Sequence, residues 1–143
     1  VPNADRDPEY LSRVIGHYMK NVQPWVRVPR IVRDIPNTYI SHGNKEGHLR
    51  QVVDKANPES QEIRLREIKR GKLTELPVPI VDRFESSKAT EYFIRYETHD
   101  RKKILGFCRL RLGDPGNPLL PELYNSAIIR ELHVYGKRPL QPS

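Results

Sequence analysis

Glu131 and His133 stand two residues apart in the run RELHVYG, with Tyr135 two further on. In an extended strand, alternate residues line one face. A carboxylate, an imidazole and a phenol therefore share a surface where proton-transfer chemistry can be built. A carboxylate in a cleft, here Glu131, can act as a general base. The same three side chains can also be satisfied polar groups of a core or a sheet edge, and residue type alone leaves both readings open.

A second set of candidates is cationic. Residues 22–53 hold Arg27, Arg30, Arg33, Lys45 and Arg50 against Asp34 and Glu46. Residues 60–72 hold Arg64, Arg66, Lys69, Arg70 and Lys72 against Glu62 and Glu67, and residues 95–111 carry six basic groups against two acidic ones. Arg and Lys at this density suit phosphate contacts, which fix the register of a nucleic acid and make affinity steeply salt-dependent. Trp25 and Tyr39 could stack on unpaired bases. The competing reading is a solvated charged surface with intramolecular ion pairs. In extended chain Arg27 and Arg33 point to one side and Arg30 to the other, so some of these arginines are expected to be structural. The five histidines show no ligand spacing, and no metal site is expected.

The elements that must position these groups differ along the chain. Asp7 can cap a helix that Pro8 opens, with Leu11, Val14, Ile15, Tyr18 and Met19 at helical spacing. Tyr18, Met19 and Trp25 are expected in its core. Pro24, Pro29 and Pro36 make residues 22–36 extended chain. Leu49, Val52 and Val53 mark a short helical patch. IRLREIKRG reads as either strand or helical turn, and LPVPIVDRF as extended at best. Tyr92, Ile94 and Tyr96 alternate on one face of a strand; ILGFCRLRL and SAIIRELHVYG follow as two more. The expected fold class is α+β: an N-terminal helix and Pro-rich extended linker, then an incomplete antiparallel sheet of three strands. Three strands normally need a helix packed on one face, so the sequence is expected to stop partway through a domain.

Composition bounds the function. The 143 residues carry 25 Lys and Arg against 18 Asp and Glu, a net charge of +7 that points toward a polyanion. Only 36% are hydrophobic, and 13 are proline, roughly double ordinary usage. The single cysteine, Cys108, rules out a disulfide framework or a multi-cysteine site within these residues, and is expected as a small apolar residue of its strand. No apolar run is long enough for a membrane helix, and VPNADRDPEY does not look like a signal peptide. A cytoplasmic, soluble protein is the expectation.

Several stretches carry a resemblance to a known family. QPWVRVPRIVRDIP (23–36) with GNKEGHLRQ (43–51), IRLREI (63–68), ILGFCRLRL (104–112) and RELHVYG (130–136) resemble, in order, the catalytic subunit of Elongator. That resemblance implies a radical S-adenosylmethionine barrel with a 4Fe–4S cluster, joined to a Gcn5-related acetyltransferase domain that binds acetyl-CoA. Together they would form carboxymethyl uridine at the wobble position of tRNA. It implies residues 1–55 as the linker and helical region beyond the barrel, and residues 56–143 as the first half of the acetyltransferase domain. Glu131, His133 and Tyr135 become its active-site wall, and Arg27, Arg30, Arg33, Lys45, Arg50, Arg64 and Arg66 candidate contacts to the anticodon stem-loop. The rest of the polypeptide and other Elongator subunits would be partners, with no membrane.

The departures are definite. The cluster cysteines are absent, and no Q-x-x-G-x-G pyrophosphate loop follows HVYG. Ser60, Glu62 and Leu65 stand where many members have zinc-binding cysteines. Acetyl-CoA, S-adenosylmethionine and the cluster are therefore expected in a complete protein, none on this segment alone, which should be inactive by itself. The alternatives are a non-catalytic RNA-binding scaffold and a protein lysine acetyltransferase, the latter disfavoured because +7 repels lysine-rich substrates.

Overall fold

The computed structural model describes residues 8–31, 37–39, 49–69, 75–113 and 121–136. The chain forms two compact units, residues 1–65 and 66–143.

In the first unit, α1 spans Pro8–Asn21 and α2 Leu49–Ala56, and Asn37–Tyr39 form a turn of 3₁₀ helix; α3, a single turn at Ile63–Arg66, closes it, with Arg66 already part of the second unit. Pro8 opens α1, where its missing N–H costs nothing. Glu9 in the first turn and Lys20 in the last complement the helix dipole. Met19, Leu49 and Val53 are buried together, with Leu11, Ile15, Val28 and Ile31 packed around them. Met19 is thus core as expected, whereas Tyr18 is half exposed and Trp25 only half-buried.

The stretch through Val26–Pro29 has no helix or ladder to satisfy its backbone, as its prolines dictate, so other groups do. Val26 O accepts from Ile63 N at 3.0 Å. Val28 N donates to Glu62 Oε1 at 2.6 Å, while Arg50 Nη1 donates to Val28 O at 2.8 Å. Arg50 Nη2 and Leu65 N both donate to Glu62 Oε2 at 2.9 Å. Glu62 is fully buried, and this ring of donors is what makes a carboxylate tolerable there.

The second unit is a four-stranded antiparallel meander in the order β1 (Val78–Ser86), β2 (Ala89–Glu97), β3 (Ile104–Leu112), β4 (Ala127–Val134). The extra strand relative to the three expected is β1, which begins inside LPVPIVDRF and runs two residues past it. Pro79 does not break it because β1 is an edge strand, where a missing N–H can face away from the ladder. Ser87 and Lys88, with φ of 48° and 61°, close the β1–β2 hairpin in the doubly left-handed form of a tight two-residue turn. The undecided IRLREI is both things it could be: a helical turn at 63–66, then one parallel bridge from Glu67 to Ile104.

The sheet buries the face that residue polarity argues against. On β2 the protected residues are Ala89, Glu91, Phe93, Arg95 and Glu97, none more than 4% exposed, while Tyr96 on the apolar face is 52% exposed. Registration explains this inversion. Asp82, Phe93, Arg109 and Glu131 form one row across the four strands, and Ile80, Arg95, Phe107 and His133 the next. Arg109 pairs with Glu131 within the first row, and Arg95 of the second reaches across to Asp82, so these charges neutralise one another. The opposite face carries Val81, Ile129, Leu132 and Val134, all more than half exposed. Among the described residues no helix is long and apolar enough to cross a membrane.

Candidate functional site on the charged face of the sheet

β4 brings Glu131, His133 and Tyr135 to the charged face, as alternation in RELHVYG requires. Glu131 sits between two partners. Arg109 Nε donates to its Oε2 at 2.6 Å, and His133 Nε2 lies 3.0 Å from its Oε1. The His133 ring stacks on Phe107 with centroids 5.2 Å apart, and on Tyr135 at 6.0 Å. Tyr135 donates its phenolic proton to Glu67 at 3.0 Å. The Arg109 guanidinium lies 5.4 Å from the Phe93 centroid and 5.6 Å from that of Phe107. Imidazole and phenol are thereby held as a flat wall, with the carboxylate and guanidinium at its foot.

Further along, Glu91 is 3% exposed and accepts from Arg111 Nη1 at 2.7 Å and Arg130 Nη1 at 2.6 Å. Burial by itself raises this carboxyl, but the hydrogen bonds from Arg111 and Arg130 outweigh it and hold it below the ordinary carboxylate range. Arg66, 3% exposed, donates to Glu97 Oε1 at 2.6 Å, and Arg95 bonds both Glu97 and Asp82. Burial lowers the Arg66 guanidinium and Glu97 only partly compensates.

The cationic candidates separate by position. Arg30 and Arg64 are exposed, Arg64 donating to Pro29 O, and Arg27 is half-buried. Arg50 points inward to Glu62, Asp54 and Val28 O. Arg66 is inside the second unit with Glu97, where its guanidinium has no route to a phosphate. Arg33 and Lys45 lie outside the described residues. Tyr39 is 80% exposed. Cys108 is half-buried, and among the described residues no group of His, Cys, Asp and Glu could hold a metal ion.

Reading the sequence for motifs missed Arg109, Arg111 and Glu91. The signal was there: Phe107, Arg109 and Arg111 repeat at period two, as do Glu91, Phe93, Arg95 and Glu97. Two strands with charges at matching parity are built to face each other.

No protein-family model matches the chain. Elongator complex protein 3 of Danio rerio is 32% identical over 139 residues, covering 90% of this chain and 25% of that protein. A tRNA uridine(34) acetyltransferase of Methanocaldococcus jannaschii is 35% identical over 137 residues, covering 86% of this chain and 25% of its own length. The solved structure of an archaeal Elp3 from Methanocaldococcus infernus, with an N-terminal deletion, superimposes with a TM-score of 0.77 at 30% identity, over 87% of this chain and 32% of that one. The chain thus spans about a quarter of the length of the curated relatives it matches. The motif order, the four-stranded sheet and these likenesses agree: along nearly all of its length the chain is similar to one part of Elongator complex protein 3 and of the tRNA uridine(34) acetyltransferases.

Proposed function

We propose that this chain is part of a tRNA-modifying acyltransferase that forms carboxymethyl uridine at the wobble position, using acetyl-CoA and S-adenosylmethionine. In this reading the first unit supplies tRNA contacts and the sheet supplies part of the acetyl-CoA domain. The observation that carries it is the match along nearly the whole chain to proteins named tRNA uridine(34) acetyltransferase. It is supported by a sheet whose last strand sets Glu131, His133 and Tyr135 on one wall.

The implied groups fit unequally. β4 ends the sheet order, so one row of its backbone N–H and C=O groups faces away from β3 and could pair with the amide arm of acetyl-CoA. That group would supply an activated acyl carbon; the chain's residues would orient and handle protons. An iron–sulfur cluster does not fit, since Cys108 alone cannot ligate it. For tRNA, exposed Arg30 and Arg64, with half-buried Arg27 and the projecting ring of Tyr39, suit phosphate and base contacts. The family resemblance points to the anticodon stem-loop as the RNA partner.

A filter-binding titration with tRNA at several salt concentrations tests this. The expected result is steep salt dependence, with R30E/R64E lowering the log–log slope by about 1–2. Equal affinity for duplex DNA, or no salt dependence, overturns the tRNA role. In the complete protein, tRNA should stimulate acetyl-CoA hydrolysis; its failure to do so would favour lysine acetylation instead.

A further inference from the structure

We infer that His133, rather than Glu131, is the proton acceptor on the wall of β4, with Glu131 and Arg109 as its positioning residues. The inference rests on the acetyltransferase reading and adds the identity of the base.

Both oxygens of Glu131 are engaged, Oε2 by Arg109 Nε at 2.6 Å and Oε1 by His133 Nε2 at 3.0 Å. An ionised carboxylate can only accept hydrogen bonds. A bare Nε2 would set its lone pair against a carboxylate oxygen at 3.0 Å, so this contact favours neutral His133 as the Nε2–H tautomer. Its lone pair then sits on Nδ1, which makes no hydrogen bond or ion pair to any described residue. A base needs an accessible acceptor atom: each Glu131 oxygen already faces a partner, whereas Nδ1 of His133 faces none among the described residues. The ring is also held in place: Phe107 stacks on one side at 5.2 Å and Tyr135 lies at 6.0 Å.

The surrounding charges support that division of roles. Glu131 and Tyr135 face His133 from its own strand, Arg109 faces the pair from β3, and Arg95 lies further along the same row on β2. Glu67 accepts a hydrogen bond from the Tyr135 hydroxyl at 3.0 Å. Arg109 holds the Glu131 carboxylate through Oε2 at 2.6 Å, and stays partly buried against Phe93 and Phe107.

The chemical step is a proton transfer. The N–H or O–H bond of the attacking nucleophile breaks, its electron pair stays on the heteroatom, and the proton ends on Nδ1. The imidazolium so formed is stabilised by Glu131, as in other carboxylate–imidazole pairs.

Nitrogen-15 NMR of the His133 ring, above the pH at which it titrates, reads the tautomer directly in this chain. The wild type should show Nε2–H, and E131A a mixture of both forms with the sheet's amide spectrum preserved. A dominant Nδ1–H form in the wild type, or an unchanged tautomer in E131A, overturns the inference. In the complete protein, H133Q should lower the tRNA-stimulated hydrolysis rate on the order of 10²–10⁴-fold. R109M should lower kcat with KM unchanged, and R109K should restore part of it. A wild type that hydrolyses acetyl-CoA with H133Q equally fast refutes His133 as base. A wild type with no hydrolysis refutes the acetyltransferase reading and, with it, the catalytic use of the pair, even where the tautomer is as stated.

Discussion

Glu62 offers the sharpest energetic test, because a fully buried carboxylate holds three separate parts of the first unit together. Its Oε1 accepts from Val28 N, and its Oε2 from Arg50 Nη2 and Leu65 N. In E62Q the side chain keeps its volume but turns one acceptor into a donor. If the new NH₂ faces Val28, one buried backbone N–H is left unmade, at about 1–3 kcal/mol. If it faces Leu65 and Arg50, two donors are lost together. Either orientation removes the charge that partners Arg50, whose side chain is only 19% exposed and would keep Asp54. The expected loss for E62Q is therefore about 2–4 kcal/mol, and for E62A about 3–5 kcal/mol, the range for breaking a buried pair from one side. The single tryptophan, Trp25, lies in this unit and is half-buried, so urea unfolding followed by its fluorescence reports the loss. Hydrogen exchange locates it: the Val28 and Leu65 amides should lose protection while those of β2 and β3 do not. A change below about 0.5 kcal/mol with the Val28 amide still protected would refute the reasoning. A double-mutant cycle with R50M should then show strong coupling, since the two share one contact.

Three further outcomes follow from the same network logic. E97Q leaves Arg66 and Arg95, each 3% exposed, with a diminished partner and should cost about 3–5 kcal/mol in urea unfolding, while E97Q/R66M should recover much of it. Because the Glu91 carboxyl is held below its unfolded value by Arg111 and Arg130 against the opposing effect of burial, its stabilisation is present above the ordinary carboxylate range and is lost as pH falls through the folded value. Stability measured from about pH 5 to pH 2 should therefore fall less steeply in R130M than in the wild type. G106A would put a methyl group 2.9 Å from the His133 carbonyl oxygen, a backbone atom that cannot swing aside. It should cost about 1–3 kcal/mol and weaken exchange protection at the β3–β4 pairing beside the Glu131–His133 pair.

Much of this molecule could be read before any coordinates. Pro8 and the spacing of Leu11, Ile15 and Met19 specify α1, because capping and a 3.6-residue period are local properties. The alternation in ILGFCRLRL and RELHVYG specifies two strands and places Glu131, His133 and Tyr135 on one side. Local rules gave way where the answer depended on a partner distant in sequence. β1 is a strand despite Pro79, since only the sheet order shows it to be an edge. Alternation put Tyr92, Ile94 and Tyr96 on one face of β2 without deciding which face is inside; Glu91, Arg95 and Glu97 are inside, because Arg111, Arg130, Arg66 and Asp82 arrive from elsewhere to pair them. The same holds for the arginines: Arg50 and Arg66 look like Arg30 and Arg64 in sequence, yet the first two are drawn inward by Glu62 and Glu97.

By itself, then, the sequence determined the element types, the family motifs, the basic balance and the parity of the candidate wall. Tertiary structure alone decided which face of the sheet is buried, which cations are internal, and which nitrogen of His133 is open. A charge's burial depends on the partners that neutralise it, and beside short-range pairs such as Arg95–Glu97 and Arg50–Asp54 each of these buried groups needs one 12 to 39 residues away along the chain.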